Sequence, residues 1–157
     1  PLASVAVLAR AGRDAGVAIE VWGHGRAPLA ISGRCYHARL HDRIKDACLF
    51  VCGEDPDGRE VQTLDGTTFL TINGVQTLGH AHTTVANQIT ALREAGVTAL
   101  RLSPQIGNFP EIVDIYARAT CAELPPAAAL AELHRQMPGA VFADGFLAGT
   151  TGMRAPV

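Results

Sequence analysis

The chain has 157 residues, of which 48% are hydrophobic and 18% are charged, and its net charge at pH 7 is −2. This length suits one domain of ordinary size, and the small net charge gives no reason to expect a DNA partner. No apolar run approaches the roughly 20 residues of a membrane-spanning helix, so we expect no transmembrane segment.

The first part of the chain predicts one helix and one short strand. Ser4 is a candidate N-cap for a helix that ends at Gly16. Residues 18–22 form a strand candidate that is closed by a Gly-His-Gly sequence. The histidine of that sequence, His24, is either a site residue or a solvated loop histidine. Periodicity is weak between residues 26 and 47, and we expect irregular structure there.

The middle of the chain predicts a small β-meander. Strand candidates lie at residues 49–52, 60–64 and 69–72, and turn sequences separate them at 56–58 (PDG) and 65–66 (DG). We expect this meander to lie beside the irregular segment.

The second half alternates helix and strand. Its first helix has Val85, Ile89 and Leu92 on one face. The elements that follow are a strand at 98–102, a helix from about 108, with Ile112, Ile115 and Tyr116 facing inward, and a last helix from 125–126 to 138–139. Such alternation favours a parallel sheet.

An α/β fold follows from this order of elements. A complete eight-unit barrel needs about 250 residues, so this length fits roughly half of one. We therefore expect residues 1–157 to form a single domain, the C-terminal half of a (β/α)8 TIM-like barrel with the β-meander inserted near a cysteine cluster. The chain begins at Pro1 rather than Met, which fits an upstream portion.

Three of the four cysteines are clustered as C-x12-C-x3-C, at Cys35, Cys48 and Cys52, whereas Cys121 lies far away. The chain has no pattern of a secretory leader, so we expect a reducing, cytoplasmic compartment in which thiols stay free or bind metal. Three cysteines together and one apart suit a metal site better than two disulfides.

The residues themselves leave three interpretations of this cluster open. An iron–sulfur cluster needs thiolate ligands, and cations nearby would offset its negative charge. The candidate cations are Arg34, Arg39, Arg43 and Lys45, and the candidate shielding residues are Tyr36, Leu49, Phe50 and Val51. Zinc could instead bind the three cysteines with His37, or Cys48 and Cys52 could be buried structural thiols.

Polar residues at predicted strand ends form a second candidate site. If the strands at 69–72 and 98–102 belong to a barrel, their C-terminal ends face the usual place of chemistry. The substrate-binding candidates there are Asn73, Gln76, Arg101, Ser103 and Gln105. Arg101 could hold a carboxylate in a bidentate pair. The alternative is that these side chains satisfy loop backbone, and the catalytic residues stay unknown.

The other histidines are weaker candidates. His80 and His82 precede a predicted helix and could be metal ligands or caps, although capping by Thr83 or Thr84 is simpler. Histidines 41 and 134 are expected at the surface.

Six segments carry a resemblance to a known family. They are residues 28–39 (PLAISGRCYHAR), 45–52 (KDACLFVC), 56–58 (PDG), 69–78 (FLTINGVQTL), 100–105 (LRLSPQ) and 142–147 (FADGFL). Together they span nearly the whole chain. They resemble the collagenase-like peptidases of family U32, and most closely the members that act in ubiquinone biosynthesis.

This resemblance implies a cofactor, a partner and a reaction. Such members bind a [4Fe–4S] cluster through four cysteines and pair with a homologous subunit as a heterodimer. They take part in oxygen-independent hydroxylation of a ubiquinone precursor. By position, Cys35, Cys48 and Cys52 match three of the ligands, and the fourth is expected upstream of this chain. Cys121 matches no ligand.

The resemblance also implies alternatives. Relatives serve as peptidases or as RNA-hydroxylation factors, and a non-catalytic assembly subunit holding iron–sulfur or zinc is a further possibility. Peptidase members carry a glutamate-containing segment where this chain has residues 100–104 (LRLSP), and the missing glutamate is a reason to doubt peptidase activity.

Overall fold

A computed structural model gives the structure of the protein, and it describes residues 1–152 and 155–156. The helices are α1 (Leu2–Asp14), α2 (Tyr36–Leu40), α3 (Ile89–Glu94), α4 (Phe109–Thr120) and α5 (Pro126–Gln136). The strands are β1 (Glu20–Ile31), β2 (Arg59–Gln62), β3 (Thr68–Asn73), β4 (Gln76–Thr84), β5 (Ala99–Leu102) and β6 (Phe142–Ala143). Short 3-10 helices span Lys45–Ala47, Val51–Glu54 and Ala86–Gln88.

The chain divides into two compact units. The first, which we call the helical unit, consists of residues 1–25 and the described residues from 82 to 156. The second, the cysteine unit, consists of residues 26–81 and contains Cys35, Cys48 and Cys52. Strands β1 and β4 each have residues in both units.

The helical unit is built on amphipathic helices. Helix α4 has Pro110 in its first turn and Arg118 in its last, which suits the helix dipole. Its residues Ile112, Ile115 and Tyr116 are buried on one face, as the sequence predicted. In α5, Leu133 is fully buried.

The core of the helical unit is continuous and apolar. It joins residues from the α3 region, α4, α5 and β6, namely Val85, Ala86, Ile89, Leu92, Ile112, Ile115, Tyr116, Ala119, Leu124, Ala129, Leu133, Met137 and Phe142. Strand pairing in this unit is parallel: Val21 in β1 pairs with Leu100 in β5, and His82 in β4 pairs with Phe142 in β6. The predicted parallel pairing is therefore present in this unit.

The cysteine unit contains an antiparallel meander. Strands β2 and β3 pair with Val61 opposite Leu70, and β3 and β4 pair with Thr71 opposite Leu78. A two-residue turn, Gly74-Val75, joins β3 to β4, and Gly74 has a φ of +59°, which glycine adopts without strain. The predicted meander is confirmed, but it consists of β2, β3 and β4 and does not include residues 49–52.

Several predicted elements were wrong in detail. Residues 49–52 are not a strand, because Leu49 and Phe50 have positive φ angles and a 3-10 helix follows them. Strand β1 does not end at 22 but continues to Ile31, so the segment after residue 26 begins with regular structure. The sequence also missed β4 and β6, and Ser4 does not cap α1, whose N-cap is Pro1.

The structure therefore has an α/β fold with parallel and antiparallel pairing. The larger TIM-like barrel stays a prediction. The single domain over residues 1–157 also stays a prediction, because two compact units can be parts of one domain or two separate domains. Among the described residues, none of the helices combines the length and the hydropathy that crossing a membrane requires.

Candidate functional site

Cys35 lies at the start of α2, as its N-cap residue. The Ala38 amide donates a hydrogen bond to Cys35 Sγ at 3.4 Å. The backbone before it is fixed in turn, because the Arg34 amide donates to Ser32 Oγ at 3.1 Å. The thiol is half-buried and free, so its sulfur is available as a ligand.

Cys48 and Cys52 flank a tight loop. Between them, Leu49 and Phe50 have φ angles of +52° and +53°, and the Val51 amide donates to the Cys48 carbonyl at 3.2 Å. Bulky residues rarely adopt positive φ, and each costs about 1–3 kcal/mol of conformational free energy, so other contacts must hold this loop. One such contact is the Arg43 guanidinium, which donates to the Cys48 carbonyl at 2.9 Å.

All four cysteines are free thiols in the described structure. Three of them are half-buried within the cysteine unit, whereas Cys121 is exposed at the C-terminal end of α4 in the helical unit. The sequence separated Cys121 from the trio on spacing, and this distribution agrees. The cysteine unit therefore offers three sulfur donors, and iron–sulfur clusters are held by cysteine sulfur.

The spacing of the three sulfur atoms is relevant to the kind of metal. Among the described residues, they do not form a group with all ligand atoms within 4.8 Å of one another. One zinc ion bound at about 2.3 Å would hold three sulfurs about 3.8 Å apart, so the described residues contain no preformed site in which these three cysteines bind a single ion. In a [4Fe–4S] cluster each cysteine binds a different iron, and the sulfurs are spaced more widely. Cluster binding itself stays a prediction.

The residues expected to shield this segment are mostly solvent-exposed. Val51 is buried, but Leu49 and Phe50 are 81% and 84% exposed, and Tyr36 is also exposed. Of the candidate cations, Arg43 and Lys45 are tied to backbone carbonyls, with Lys45 Nζ 3.4 Å from the Gly33 oxygen.

A group of polar side chains lies next to the cysteine-bearing segments, and the sequence interpretation had named only His37 among them, as a possible zinc ligand. Asp55 Oδ2 lies 3.0 Å from His37 Nε2 and 3.2 Å from His41 Nε2. Asp55 Oδ1 accepts a hydrogen bond from Arg59 Nη1 at 3.4 Å. Partial burial alone would raise the pKa of Asp55, but hydrogen bonds from His41, His37 and Arg59 lower it below its usual value. Asp55 is therefore a carboxylate at neutral pH.

The strand-end candidates are divided between the two units. In the cysteine unit, Asn73 ends β3 and donates to the Pro56 carbonyl at 3.1 Å, and Gln76 begins β4. In the helical unit, Arg101 is exposed and pairs with Glu20 at 2.6 Å. The carboxylate found beside Arg101 is thus one of the protein's own.

Ser103, Gln105 and His24 come together in the helical unit. His24 is fully buried, not a solvated loop residue, and its Nε2–H donates to Gln105 Oε1 at 3.3 Å. Gly25 is required beside them, because its φ is +112° and a Cβ there would lie 2.5 Å from Ser103 Cβ. Burial lowers the pKa of His24, and the Gln105 hydrogen bond only partly offsets this.

The remaining histidines agree with expectation in part. His80 and His82 lie in β4, the strand that precedes the 3-10 helix Ala86–Gln88, and the Ala86 amide donates to Thr84 Oγ1 at 3.2 Å. His41 is only 25% exposed and contacts Asp55, whereas His134 is exposed as predicted.

Comparison with known proteins identifies the family. The family model described as Peptidase family U32 matches residues 2–153, which include nearly all of both units. The chain belongs to peptidase family U32. No solved structure gave a significant match to it.

The family assignment agrees with the resemblance of the six sequence segments, at the level of the family. It gives no account of the His37, His41 and Asp55 contacts. The spacing of His37 and His41, four residues apart, places them on one face of a helix and could have indicated a pair. Asp55 could not be found this way, because it lies beyond an irregular loop whose path the sequence does not specify.

Proposed function

We propose that this member of family U32 is a UbiV-type protein. In this proposal it binds a [4Fe–4S] cluster and acts with a homologous UbiU-type subunit, as a heterodimer, in the oxygen-independent hydroxylation of a ubiquinone precursor. The observation that carries the proposal is the set of free, half-buried thiols at positions 35, 48 and 52 in one compact unit.

The surroundings of these thiols support a bound cluster. Cys35, Cys48 and Cys52 would supply three ligands, and the fourth would come from outside residues 1–157. When bound, the cluster would supply electron transfer. The chain's own contribution is to hold the thiolates: Ala38 donates to Cys35 Sγ, and Arg43 fixes the Cys48 carbonyl and brings positive charge to the segment.

The finer fold and cellular location belong to the same proposal. The parallel pairing of β1 with β5 supports a barrel half, with the antiparallel meander of the cysteine unit as its insertion. Free thiols in the described structure suit a cytoplasmic protein.

A peptidase function has less support. Arg101, in the segment where peptidase members carry glutamate, forms an ion pair with Glu20. For the substrate, Asn73, Gln76, Arg101, Ser103 and Gln105 stay candidates without an assigned role.

Ubiquinone content tests the proposed function directly. The full-length gene would be expressed with its UbiU-type partner in a bacterium lacking its own pair, and ubiquinone would be measured after growth with and without oxygen. We expect the wild type to restore ubiquinone only in the anaerobic culture. Cys48→Ala should abolish this, whereas Cys121→Ala should not. Restoration by Cys48→Ala at the wild-type level would refute the proposal.

A further inference from the structure

Asp55 connects the two pieces of backbone that carry Cys35 and Cys52. Helix α2 begins immediately after Cys35 and contains His37, and His41 follows its last residue. Cys52 lies in the 3-10 helix Val51–Glu54, and Asp55 follows that helix directly. The hydrogen bonds from both histidines to Asp55 Oδ2 therefore join these two backbone segments.

The hydrogen-bond roles in this group are determined by the backbone. The Gly74 amide donates to His37 Nδ1 at 3.4 Å, so Nδ1 accepts and the proton of the neutral ring lies on Nε2. His37 Nε2–H then donates to Asp55. His37 is fully buried, whereas the Asp55 side chain is 17% exposed, so this bond is shielded from competing water.

The same three side chains could suggest a metal site, since their ligand atoms lie within 4.8 Å of one another. The tautomer of His37 argues against it. A metal on His37 would need the Nε2 lone pair, but the Gly74 amide donates to Nδ1 and so places the proton of the neutral ring on Nε2.

We propose that His37, Asp55 and His41 form a positioning triad that holds the Cys35 and Cys52 segments in the geometry needed for cluster binding. This inference rests on the proposed cluster function. Without the triad, the Cys52 loop would lose its side-chain link to α2, and binding a cluster would require ordering both segments first. Supporting contacts of this kind outside the ligand shell contribute roughly 10–100-fold to metal affinity.

Truncation of Asp55 tests this role against a matched control. Glu60→Ala removes another carboxylate of the cysteine unit, one that pairs with Arg26 and His80 but with neither His37 nor His41. The full-length proteins, purified with their partner without oxygen, would be compared by the rate at which a chelator bleaches the cluster absorption. We expect Asp55→Ala to lose the cluster about tenfold faster than wild type, Asp55→Asn to restore much of the difference, and Glu60→Ala to behave as wild type.

The outcomes separate this inference from the proposed function. If Cys35→Ala lacks a cluster but Asp55→Ala keeps it as tightly as wild type, the triad does not position the ligands, and the proposed function stands. If wild type binds no cluster, both fail. If the protein instead binds one metal ion without sulfide, and this ion is lost in Asp55→Ala but retained in Cys35→Ala, then His37, Asp55 and His41 form a metal site and not a positioning triad.

A second variant covers the case in which Asp55→Ala does not fold. His41→Gln removes one of the two histidine donors at the partly exposed side of the triad. We expect it to accelerate cluster loss by a smaller factor, with the reduced cluster's EPR spectrum altered. An unchanged rate and spectrum in this variant would overturn the inference.

Discussion

The helical unit and the cysteine unit are stabilised by different kinds of interaction. In the helical unit, large apolar side chains such as Leu92, Ile112 and Leu133 are completely buried in one core. In the cysteine unit, the fully buried side chains include His37 and Thr71, which are polar. Its large apolar residues are largely exposed, among them Leu29, Ile31, Leu40, Ile44, Leu49, Phe50 and Leu64.

The apolar core that stabilises the protein and the candidate site therefore lie in different units. Apolar burial gives the helical unit its stability, whereas the thiols are mounted on a unit organised by hydrogen bonds and ion pairs. Substitutions in the two units should therefore have different consequences: those in the helical core should unfold the protein, and those around the thiols should chiefly change what it binds.

The largest expected effect is a core truncation in the helical unit. Leu133→Ala should lower the free energy of unfolding by about 2–5 kcal/mol, because it removes buried methyl groups and leaves a cavity. Urea denaturation followed by circular dichroism would measure it. Leu64→Ala, at a fully exposed leucine of the cysteine unit, should change stability by less than about 0.5 kcal/mol. Equal losses of unfolding free energy in the two variants would contradict the view that apolar burial stabilises mainly the helical unit.

A buried hydroxyl tests the polar part of the helical unit. Tyr116 donates to the Gly23 carbonyl at 2.8 Å and lies 2.7 Å from Thr84 Oγ1, and burial raises the pKa of its phenol. Tyr116→Phe should cost about 1–3 kcal/mol, because two buried hydrogen bonds of about 0.5–1.5 kcal/mol each are lost, although the Gly23 carbonyl keeps the Val85 amide as a donor. Tyr36→Phe, at an exposed tyrosine of the cysteine unit, is the matched control and should be neutral. A neutral Tyr116→Phe would show that this network does not stabilise the core.

The sequence predicted the helical unit better than the cysteine unit for the same physical reason. Periodic burial identifies a helix face, so Ile112, Ile115 and Tyr116 were placed correctly. The loop from Cys48 to Cys52 was misjudged as a strand, because its β-prone residues adopt positive φ under contacts from elsewhere in the chain. The sequence placed His24 after the end of a strand, yet β1 continues through it with a bulge.

In the candidate site, the sequence predicted only the cysteines, the candidate ligands. Cysteine spacing singled out positions 35, 48 and 52, and the structure places all three in one unit. The contacts of Asp55 with His37 and His41 join two backbone segments, and no periodic pattern in the sequence predicts such contacts. Arg101 was one candidate for binding a substrate carboxylate, and in the structure it pairs with Glu20, which lies 81 residues away in sequence.

Acid should destabilise the helical unit through His24. Because burial lowers its pKa in the folded state, the unfolded chain binds the proton more readily once the pH falls below about 6.5. Stability should be constant above that pH and fall below it, by at most about 1.4 kcal/mol per pH unit for this group. His24→Gln should remove this dependence, measured by urea denaturation from pH 5 to 8, and the exposed His134→Gln should retain it. If the unfolding free energy depends on pH equally in both variants, a group other than His24 causes the acid destabilisation.

The smallest effect should come from the exposed ion pair of the helical unit. Arg101 and Glu20 are 62% and 44% exposed, and such pairs contribute about 0–1 kcal/mol. Glu20→Gln should therefore shift the melting temperature very little, and less in high salt. A large loss would mean that β1 and β5 depend on this pair more than on the core.

Iron and sulfide analysis of the full-length protein tests most directly the central claim, that Cys35, Cys48 and Cys52 bind an iron–sulfur cluster. The full-length protein would be purified with its partner under strict exclusion of oxygen, and iron, acid-labile sulfide and zinc would be measured together with the visible spectrum. We predict about four irons and matching sulfide per chain, with a sharp fall in Cys35→Ala, Cys48→Ala and Cys52→Ala and no change in Cys121→Ala. Zinc without sulfide in the wild-type protein would contradict the account.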